Sequence, residues 1–382
     1  MGRMESPLVV FVDYHAGEEK FRRELDGIRR FAGPRGWRVA TLDSAKTDPG
    51  TLSEMLKRVR PVGCIAECSA RRRCLAPRLF AGVPVVYLDP QRRPAWRGAA
   101  SVVCDNAAVA QMAFRELSTG VPRAFAAVGF RDSWQWSRDR VAAFRALCAG
   151  AGLPCLEFVR RAGESREARA ERLERWASAL PPRCAVFAVN DVAATEVARA
   201  LLAVRRAMPH AATLVGADAA DSPEKLSGLP TVSSVRLDFE LAGYLAAKML
   251  AGSKAGFASF GPLLVERRKS TGGQGRREPF ALDAVDAIRG EACDGLTAGK
   301  LAGRFNGSRH LFEMRFREAT GHSVGEEIIQ IRLERAMDLL SRREVPIADI
   351  ARLCGFRSDI ALRKLFRSRL HVSMRRWRSE HG

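Results

Sequence analysis

The sequence predicts a two-lobed α/β domain with parallel sheets, followed by an all-α domain carrying two helix-turn-helix units. Three observations predict it. Residues 1 to about 265 alternate short apolar runs with longer amphipathic ones, the pattern of strands and crossover helices in a parallel sheet. The stretch from Glu266 to Arg277 breaks that pattern, being first charged and then glycine-rich. Beyond it, two segments each read as a short helix, a turn containing glycine, a serine able to cap, and a second helix rich in arginine.

The candidate strands come in two series. The first is Leu8–Val12, Arg38–Leu42, Gly63–Ala66, Val83–Leu88 and Ser101–Cys104. The second is Ala124–Val128, Leu156–Val159, Ala185–Val189, Thr213–Val215 and Val232–Val235. Helical patterns lie between them at Glu18–Phe31, Asn106–Leu117, Asp139–Ala149, Ala168–Ala179 and Val192–Val204. So many strands exceed one ordinary open sheet, which divides the region into two lobes. The expected organisation is therefore residues 1–269 as the α/β domain, 270–279 as a linker and 280–382 as the helical domain. Leu282, Val285 and Ile288 mark the first helix after the linker by their spacing.

The formal charge of +20 over 382 residues favours a polyanionic partner, but position says more than the total. From Ala281 onward 19 basic residues face 14 acidic ones, so most of the excess lies upstream. From Ala351 onward the balance sharpens to 9 basic against 2 acidic. Nine cysteines are scattered without a zinc spacing; Cys64, Cys68 and Cys74 come nearest. Neither a metal nor a cofactor is expected. Scattered thiols, no signal-peptide core and no apolar run of membrane length lead to the expectation of a cytoplasmic chain without a membrane partner.

In the first helical unit, Leu296 to Phe316, Thr297 can cap the supporting helix and Asn306-Gly307 can make the turn. Ser308 caps the second helix, which Phe312 and Phe316 anchor. Arg309, His310, Glu313 and Met314 remain on its open face, with Arg315 and Arg317 flanking. In the second unit Pro346 suits a first helical turn, and Ile347, Ile350, Ala351 and Leu353 line the inner face. Gly355 turns the chain, Ser358 caps, and Leu362 and Phe366 anchor. Arg357, Asp359, Ile360, Arg363 and Lys364 point outward. Arginine can read guanine with two hydrogen bonds, and aspartate can accept from cytosine or act as a repulsive filter. Arg367, Arg369, Arg375, Arg376 and Arg378 fit phosphate contacts. One helix over Ser323–Leu340, with Ile328, Ile331 or Arg332, Ala336 and Leu339 as its stripe, would hold the two second helices about one DNA turn apart, about 34 Å. The bland alternative is a helical bundle with solvated arginines.

Residues 283 to 377 resemble the AraC family of transcriptional activators. The words that carry this are Ser308, Phe316-Arg-Glu-Ala-Thr-Gly321, Arg332-Leu-Glu-Arg-Ala-Met-Asp-Leu-Leu340, Ile350-Ala351 and Cys354-Gly-Phe356. Val324 and Met374 stand where the family usually has proline, and His371 where glycine is common. The front region is similar to the periplasmic-binding-protein-like sensors of LacI-type repressors. Its marks are Val103-Cys-Asp105-Asn106, Asp139-Arg140 to Phe144, Ala188-Val-Asn190-Asp191, Val215-Gly-Ala-Asp218 and Leu264 to Thr271. Together they resemble the XylR-type branch of the AraC family. The resemblance implies a sugar effector, xylose or a related monosaccharide, duplex DNA as partner, a homodimer through the sensor, and RNA polymerase as a contact of an activator.

In an open α/β sheet ligands sit beyond the carboxyl ends of the strands. Asp13, Tyr14 and His15 follow the first strand, Asn190 and Asp191 another, and Asp218 a third. Arg140, Asn190 and Asp218 correspond by motif to the family's sugar-contacting positions. Trp134 and Trp136, placed in a loop before the Arg140 helix, can stack on a pyranose face. Each has an alternative: Asp105 and Asp191 as helix caps, Trp136 as core, Arg140 paired with a carboxylate, His15 as a strand end. Removing Arg140 or Asp218 is expected to abolish the response and spare the fold. An α/β sugar-processing enzyme with a basic tail, and a constitutive DNA binder, are the rival readings. The chain has no GxxxxGK[ST], HExxH or GxSxG motif, so no catalytic residue is assigned.

Overall fold

The computed structural model divides into two compact units, Met1–Arg276 and Arg277–Gly382. It describes residues 6–13, 19–44, 46–69, 76–90, 99–130, 134–161, 163–218, 231–252, 256–272, 279–305, 308–320, 322–342 and 345–381.

The first unit opens with β1 (Leu8–Asp13), α1 (Glu19–Ala32), β2 (Arg38–Asp43), α2 (Pro49–Val59), β3 (Gly63–Glu67), β4 (Val85–Leu88) and β5 (Ala100–Cys104). Next come α3 (Asn106–Ser118), β6 (Ala124–Val128), α4 (Gln135–Gly150), β7 (Cys155–Phe158), α5 (Arg166–Ala179), β8 (Cys184–Ala188), α6 (Asp191–Ala203), β9 (Ala212–Ala217) and β10 (Ser233–Leu237). It closes with α7 (Phe239–Gly252), β11 (Gly256–Phe260) and β12 (Pro262–Glu266). The strands form two six-stranded sheets, ordered β11-β5-β4-β3-β1-β2 and β12-β10-β9-β8-β6-β7. Each expected strand is present, and the two series fall in separate sheets. β11 and β12 were not singled out by the apolar pattern. Each sheet therefore gains a strand from the far end of the unit, and the chain passes between the lobes at α3, α7 and the β11–β12 step. Pairing is parallel except where β12 runs antiparallel to β10.

Period-two alternation builds the cores. Val9 and Phe11 enter one cluster, with α1, α3, α4 and α7, whereas Val10 and Val12 face α2, Phe80 and Tyr87. In the second sheet Phe125, Ala127, Ala185 and Phe187 join the first cluster, and Ala124, Ala126, Val186 and Ala188 pack beneath α5 and α6. Helices α1 and α7 cross at a pair of glycines. A Cβ on Gly27 would lie 1.9 Å from the Glu240 carbonyl oxygen, and one on Gly243 1.9 Å from that of Glu24. The first unit also extends past the expected boundary at residue 269. Ser270 is fully buried and its hydroxyl donates to the Leu214 carbonyl at 2.5 Å, so the start of the expected linker belongs to the fold of the first unit.

The second unit contains α8 (Pro279–Glu291), α9 (Ala298–Ala302), α10 (Arg309–Thr320), α11 (Val324–Arg342), α12 (Ile347–Leu353), α13 (Asp359–Leu370) and α14 (Met374–His381). Val285, Ile288, Leu301, Phe312, Phe316 and Ile328 form its first core; Ala336, Leu340, Ile350, Leu362 and Phe366 form its second. The side chain of Leu282 and the Asn306-Gly307 turn lie outside the described residues. Ser323 and Glu326 close a reciprocal capping box at the start of α11, with bonds of 2.7 to 3.2 Å. Arg332 turns from α11 to the carbonyls of Ala292 and Leu296, at 2.7 and 2.9 Å, and Ile331 is half-buried in the first core. Gly355 lands on the same segment: its φ is +71°, and a Cβ there would meet the Cys293 oxygen at 2.6 Å. His371 adopts the left-handed cap (φ 57°) at the position where glycine is common. Val324 and Met374 bury their side chains as the first residues of α11 and α14. Two expectations need correction. Leu353 is 41% exposed and Cys354 fills the core in its place, while Pro346 precedes α12 as its N-cap instead of lying in the first turn.

Candidate functional site

The carboxyl ends of the first sheet gather acidic groups around one lysine. Asp13 ends β1, Glu67 ends β3 and Asp89 follows β4, and Lys20 reaches in from α1. Its ammonium donates to Glu67 at 2.6 Å and to the Ser69 hydroxyl at 2.9 Å, and lies 3.8 Å from Glu24. Burial opposes the Lys20 charge, but the carboxylates of Glu67, Glu24, Asp89 and Asp13 more than offset it and hold its pKa well above the ordinary range. Burial pushes the Glu24 carboxyl well above the ordinary range, and raises that of Asp89, against the pull of Lys20. Sequence reasoning placed only Asp13 here. Lys20, Glu67 and Asp89 fall in no motif; the available signal was their position at strand ends or on the buried face of α1. Tyr14 and His15 lie outside the described residues.

On the second sheet's side, Arg140 organises the site. It is 2% exposed. Its guanidinium donates to Asn106 Oδ1 at 3.0 Å, the Val189 carbonyl at 2.6 Å and Asp218 Oδ1 at 2.9 Å, and Cys104 Sγ lies 3.7 Å away. Burial opposes its charge and Asp218 favours it, with a net rise in its pKa. Asp218 follows β9 with φ 93° and keeps 30% of its side chain exposed. The pairing alternative for Arg140 is thus realised. With four contacts replaced by a hole, Arg140→Ala is no longer expected to spare the fold.

Asn190 caps α6 by accepting from the Ala193 N–H at 2.9 Å. Asp191 is not the cap but the first helical residue, and it accepts from the Ser234 hydroxyl at 2.7 Å. Asp105 caps α3 through Ala108, as its cap reading had it. Trp136 is in the first turn of α4, not in a preceding loop. It is 8% exposed, stacks with Phe130 at 6.0 Å, and lies 5.1 Å from the Arg140 guanidinium. Its Nε1–H donates to the Ser69 carbonyl at 3.3 Å, joining the helix beneath one sheet to the strand end of the other. A second tie runs from Arg236 on β10 to Glu19 on α1 at 2.9 Å, with Glu266 beside it. The arrangement offers donors from Arg140 and Lys20 and acceptors from Asp13, Glu67, Asp89 and Asp218, a set suited to a small polyhydroxylated molecule.

In the second unit the two second helices repeat one design. Ser308 accepts from the Leu311 N–H at 3.2 Å, and Ser358 accepts from the Ala361 N–H at 3.2 Å. Phe312 and Phe316, then Leu362 and Phe366, bury the inner faces. His310, Met314, Arg315, Arg357, Ile360, Lys364 and Arg367 are exposed, Ile360 at 77%. Arg309 pairs with Glu313 at 3.0 Å and Arg363 with Asp359 at 2.7 Å, each one helical turn apart. Such exposed pairs contribute little stability, which leaves these side chains open to other partners. Arg378 differs from its expected role: it is half-buried and donates to the Val345 carbonyl at 2.7 Å.

Comparison with known proteins agrees with both units. A periplasmic binding protein-like domain model matches residues 122–256, and a helix-turn-helix domain model matches residues 301–380. The xylose operon regulatory protein of Escherichia coli (strain K12) is 27% identical over 267 residues, covering 67% of this chain and 68% of that protein. The protein of the same name from Haemophilus influenzae is 26% identical over 287 residues, covering 72% and 74%. The solved structure of the xylose-binding transcription activator XylR covers 98% of both chains with a TM-score of 0.57 at 22% identity. A ribose operon repressor from Lactobacillus acidophilus covers 70% of this chain and 98% of its own, with a TM-score of 0.54 at 17% identity. At these identities the structures speak for the fold. Fold and reading helices define a DNA-binding transcription regulator with a periplasmic-binding-protein-like sensor. Within that class, the pair of domains and the relatives make the chain similar to XylR-type regulators, the xylose operon regulatory proteins among them.

Proposed function

We propose that the chain activates genes of carbohydrate catabolism in response to a small sugar, xylose or a related monosaccharide. The observation that carries this is the pairing of buried Arg140 with the part-exposed Asp218 at the carboxyl ends of the strands, in a chain that also bears two serine-capped reading helices. Sugar hydroxyls need both donors and acceptors. Arg140 and Lys20 donate; Asp13, Asp191 and Asp218 accept, with Asn190 beside Asp191; Tyr14 and His15, outside the described residues, complete the proposed set. Trp136 serves this reading as the wall behind Arg140, and its ring faces are taken by protein neighbours.

The Trp136–Ser69 and Arg236–Glu19 ties cross between the lobes, so a ligand that fits the closed arrangement favours it over an open one. Closure then changes how paired sensors present their helical units to duplex DNA. The reading includes a cytoplasmic homodimer joined through the sensor, RNA polymerase as the partner of activation, and no catalytic step. The linker begins after Thr271.

The test is a melting experiment on the full chain with a panel of pentoses and hexoses. A cognate sugar at a hundredfold excess over its dissociation constant adds about 2.7 kcal/mol. A panel in which no monosaccharide raises the melting temperature contradicts the proposal.

A further inference from the structure

The effector reading leaves unused a groove on the second lobe, between α5 and α6, with a volume of about 280 Å³. Helical spacing builds it. On α5, Arg166, Arg169 and Leu173 recur at three and four residues and share one face; on α6, Glu196, Arg199 and Ala200 do the same. Leu173 and Ala200 are buried and form an apolar floor. Short alanine side chains at 170 and 200 do not fill the space between the helices, which leaves it open to a ligand.

Charge favours an anion there. Glu196 accepts from Arg160 and, at 3.2 Å, from Arg169, so its charge is met twice. Glu174 is the groove's other carboxylate. Against these two stand Arg166, Arg169 and Arg199 in the groove and Arg160 beside it, an excess of two positive charges. Arg166 and Arg199 are exposed, and Arg199 forms no ion pair among the described residues. Arg172, on the same helix as Arg166, shows what a settled arginine looks like. It holds Glu164 with two hydrogen bonds, at 2.7 and 2.9 Å, and lies over the Phe158 ring at 4.1 Å. Guanidinium groups that converge on one groove match the oxygens of phosphate or carboxylate groups.

The groove also reaches the supports of the effector site. Arg160 lies over the Phe130 ring at 4.4 Å, Phe130 stacks on Trp136 at 6.0 Å, and Trp136 lies 5.1 Å from the Arg140 guanidinium. An anion that takes Arg169 from Glu196 leaves that carboxylate to Arg160 alone, and so acts on the first member of this series. We propose that the α5–α6 groove is a second ligand site of the sensor, which takes a small organic anion bearing two or more negative charges and acts on the Arg140 site through Arg160. This stands whatever molecule fills the Arg140 site.

Calorimetric titration of the full chain with pyrophosphate and with citrate, at matched ionic strength, tests the site. Binding of either supports it, and the preferred one tells whether phosphate or carboxylate oxygens are read. Arg166→Gln and Arg199→Gln should each weaken that binding by about tenfold, since each removes a charge-assisted contact. Arg175→Gln, an equal loss of charge from an exposed position of α5 outside the groove, should leave it unchanged. Melting temperatures confirm that the variants fold. Hydrogen exchange then reads α4: the bound anion should change protection of its first turns, around Trp136 and Arg140, with no sugar present. Failure of both anions to bind overturns the proposal. Binding that all three variants weaken alike, or that none weakens, is charge attraction elsewhere on a basic chain and also overturns it. Binding in the groove with exchange in α4 unchanged overturns the action on Arg140.

Discussion

The sensor's site and the helical unit's open helix faces use arginine in opposite ways. In the sensor, Arg140 and Arg236 turn inward and are held by several partners each, and Arg140 is almost wholly buried. In the helical unit, Arg309 and Arg363 lie on open helix faces, each with one carboxylate from its own helix. The inward arginine is structural and organises the site; the outward one is available to an anionic partner. Net charge cannot tell these cases apart, because both add one to the total. Burial and the number of fixed partners can.

The contrast is broken most severely at Arg140. Arg140→Ala leaves Asp218 and Asn106 without their partner and should destabilise the protein by on the order of 3 kcal/mol. Chemical denaturation of the full chain measures this, and unchanged stability would mean that the inward pair is not an integral part of the sensor. Next in size is Gly355→Ala in the helical unit, where positive φ and the nearby Cys293 oxygen leave no room for a methyl group. The expected loss is about 1–3 kcal/mol, read as a lower melting temperature. Tolerance of alanine there would show that the segment beneath Gly355 yields.

Arg363→Ala sharpens the other side of the comparison. It should leave stability within about 0.5 kcal/mol. It should also cost about 1–3 kcal/mol of discrimination at one base pair, visible in a binding-site selection. Equal weakening on all sequences would move Arg363 to the phosphate class proposed for Arg375. The smallest effect is at His322, whose imidazole pairs with Glu327 at 2.9 Å. The Glu327 hydrogen bond raises the His322 pKa, against burial. The pair's contribution, up to about 0.5 kcal/mol for an exposed pair, is full below the unfolded histidine pKa and fades as pH rises through the higher folded value. The melting difference between the protein and His322→Gln should shrink over that range; a pH-independent difference would contradict the pairing.

Much of this architecture was readable from local pattern. Short apolar runs became strands because alternation alone sends Val9 and Val10 to opposite faces. Ser308 and Ser358 were legible because a cap is a local arrangement of one side chain and one nearby N–H. β11 was obscured by Gly256 and the exposed Phe257, which remove the buried alternation of an inner strand. α7 is apolar around much of its surface and shows no clean stripe. The exchange of β11 and β12 between lobes is a long-range pairing that no window of sequence contains. The site divided in the same way. Arg140 and Asp218 were visible in motifs; the Lys20 cluster was not, since it is assembled from α1, β1, β3 and the residue after β4. Trp136 was misplaced into a loop because α4 starts a turn before its apolar periodicity does.

The most direct test of coupling between the units is fluorescence anisotropy of the full chain on a duplex it selects in vitro, with and without monosaccharides. The account predicts that at least one sugar which raises the sensor's melting temperature also shifts DNA affinity. A sugar that binds the sensor tightly while DNA affinity stays unchanged at every protein concentration would contradict it.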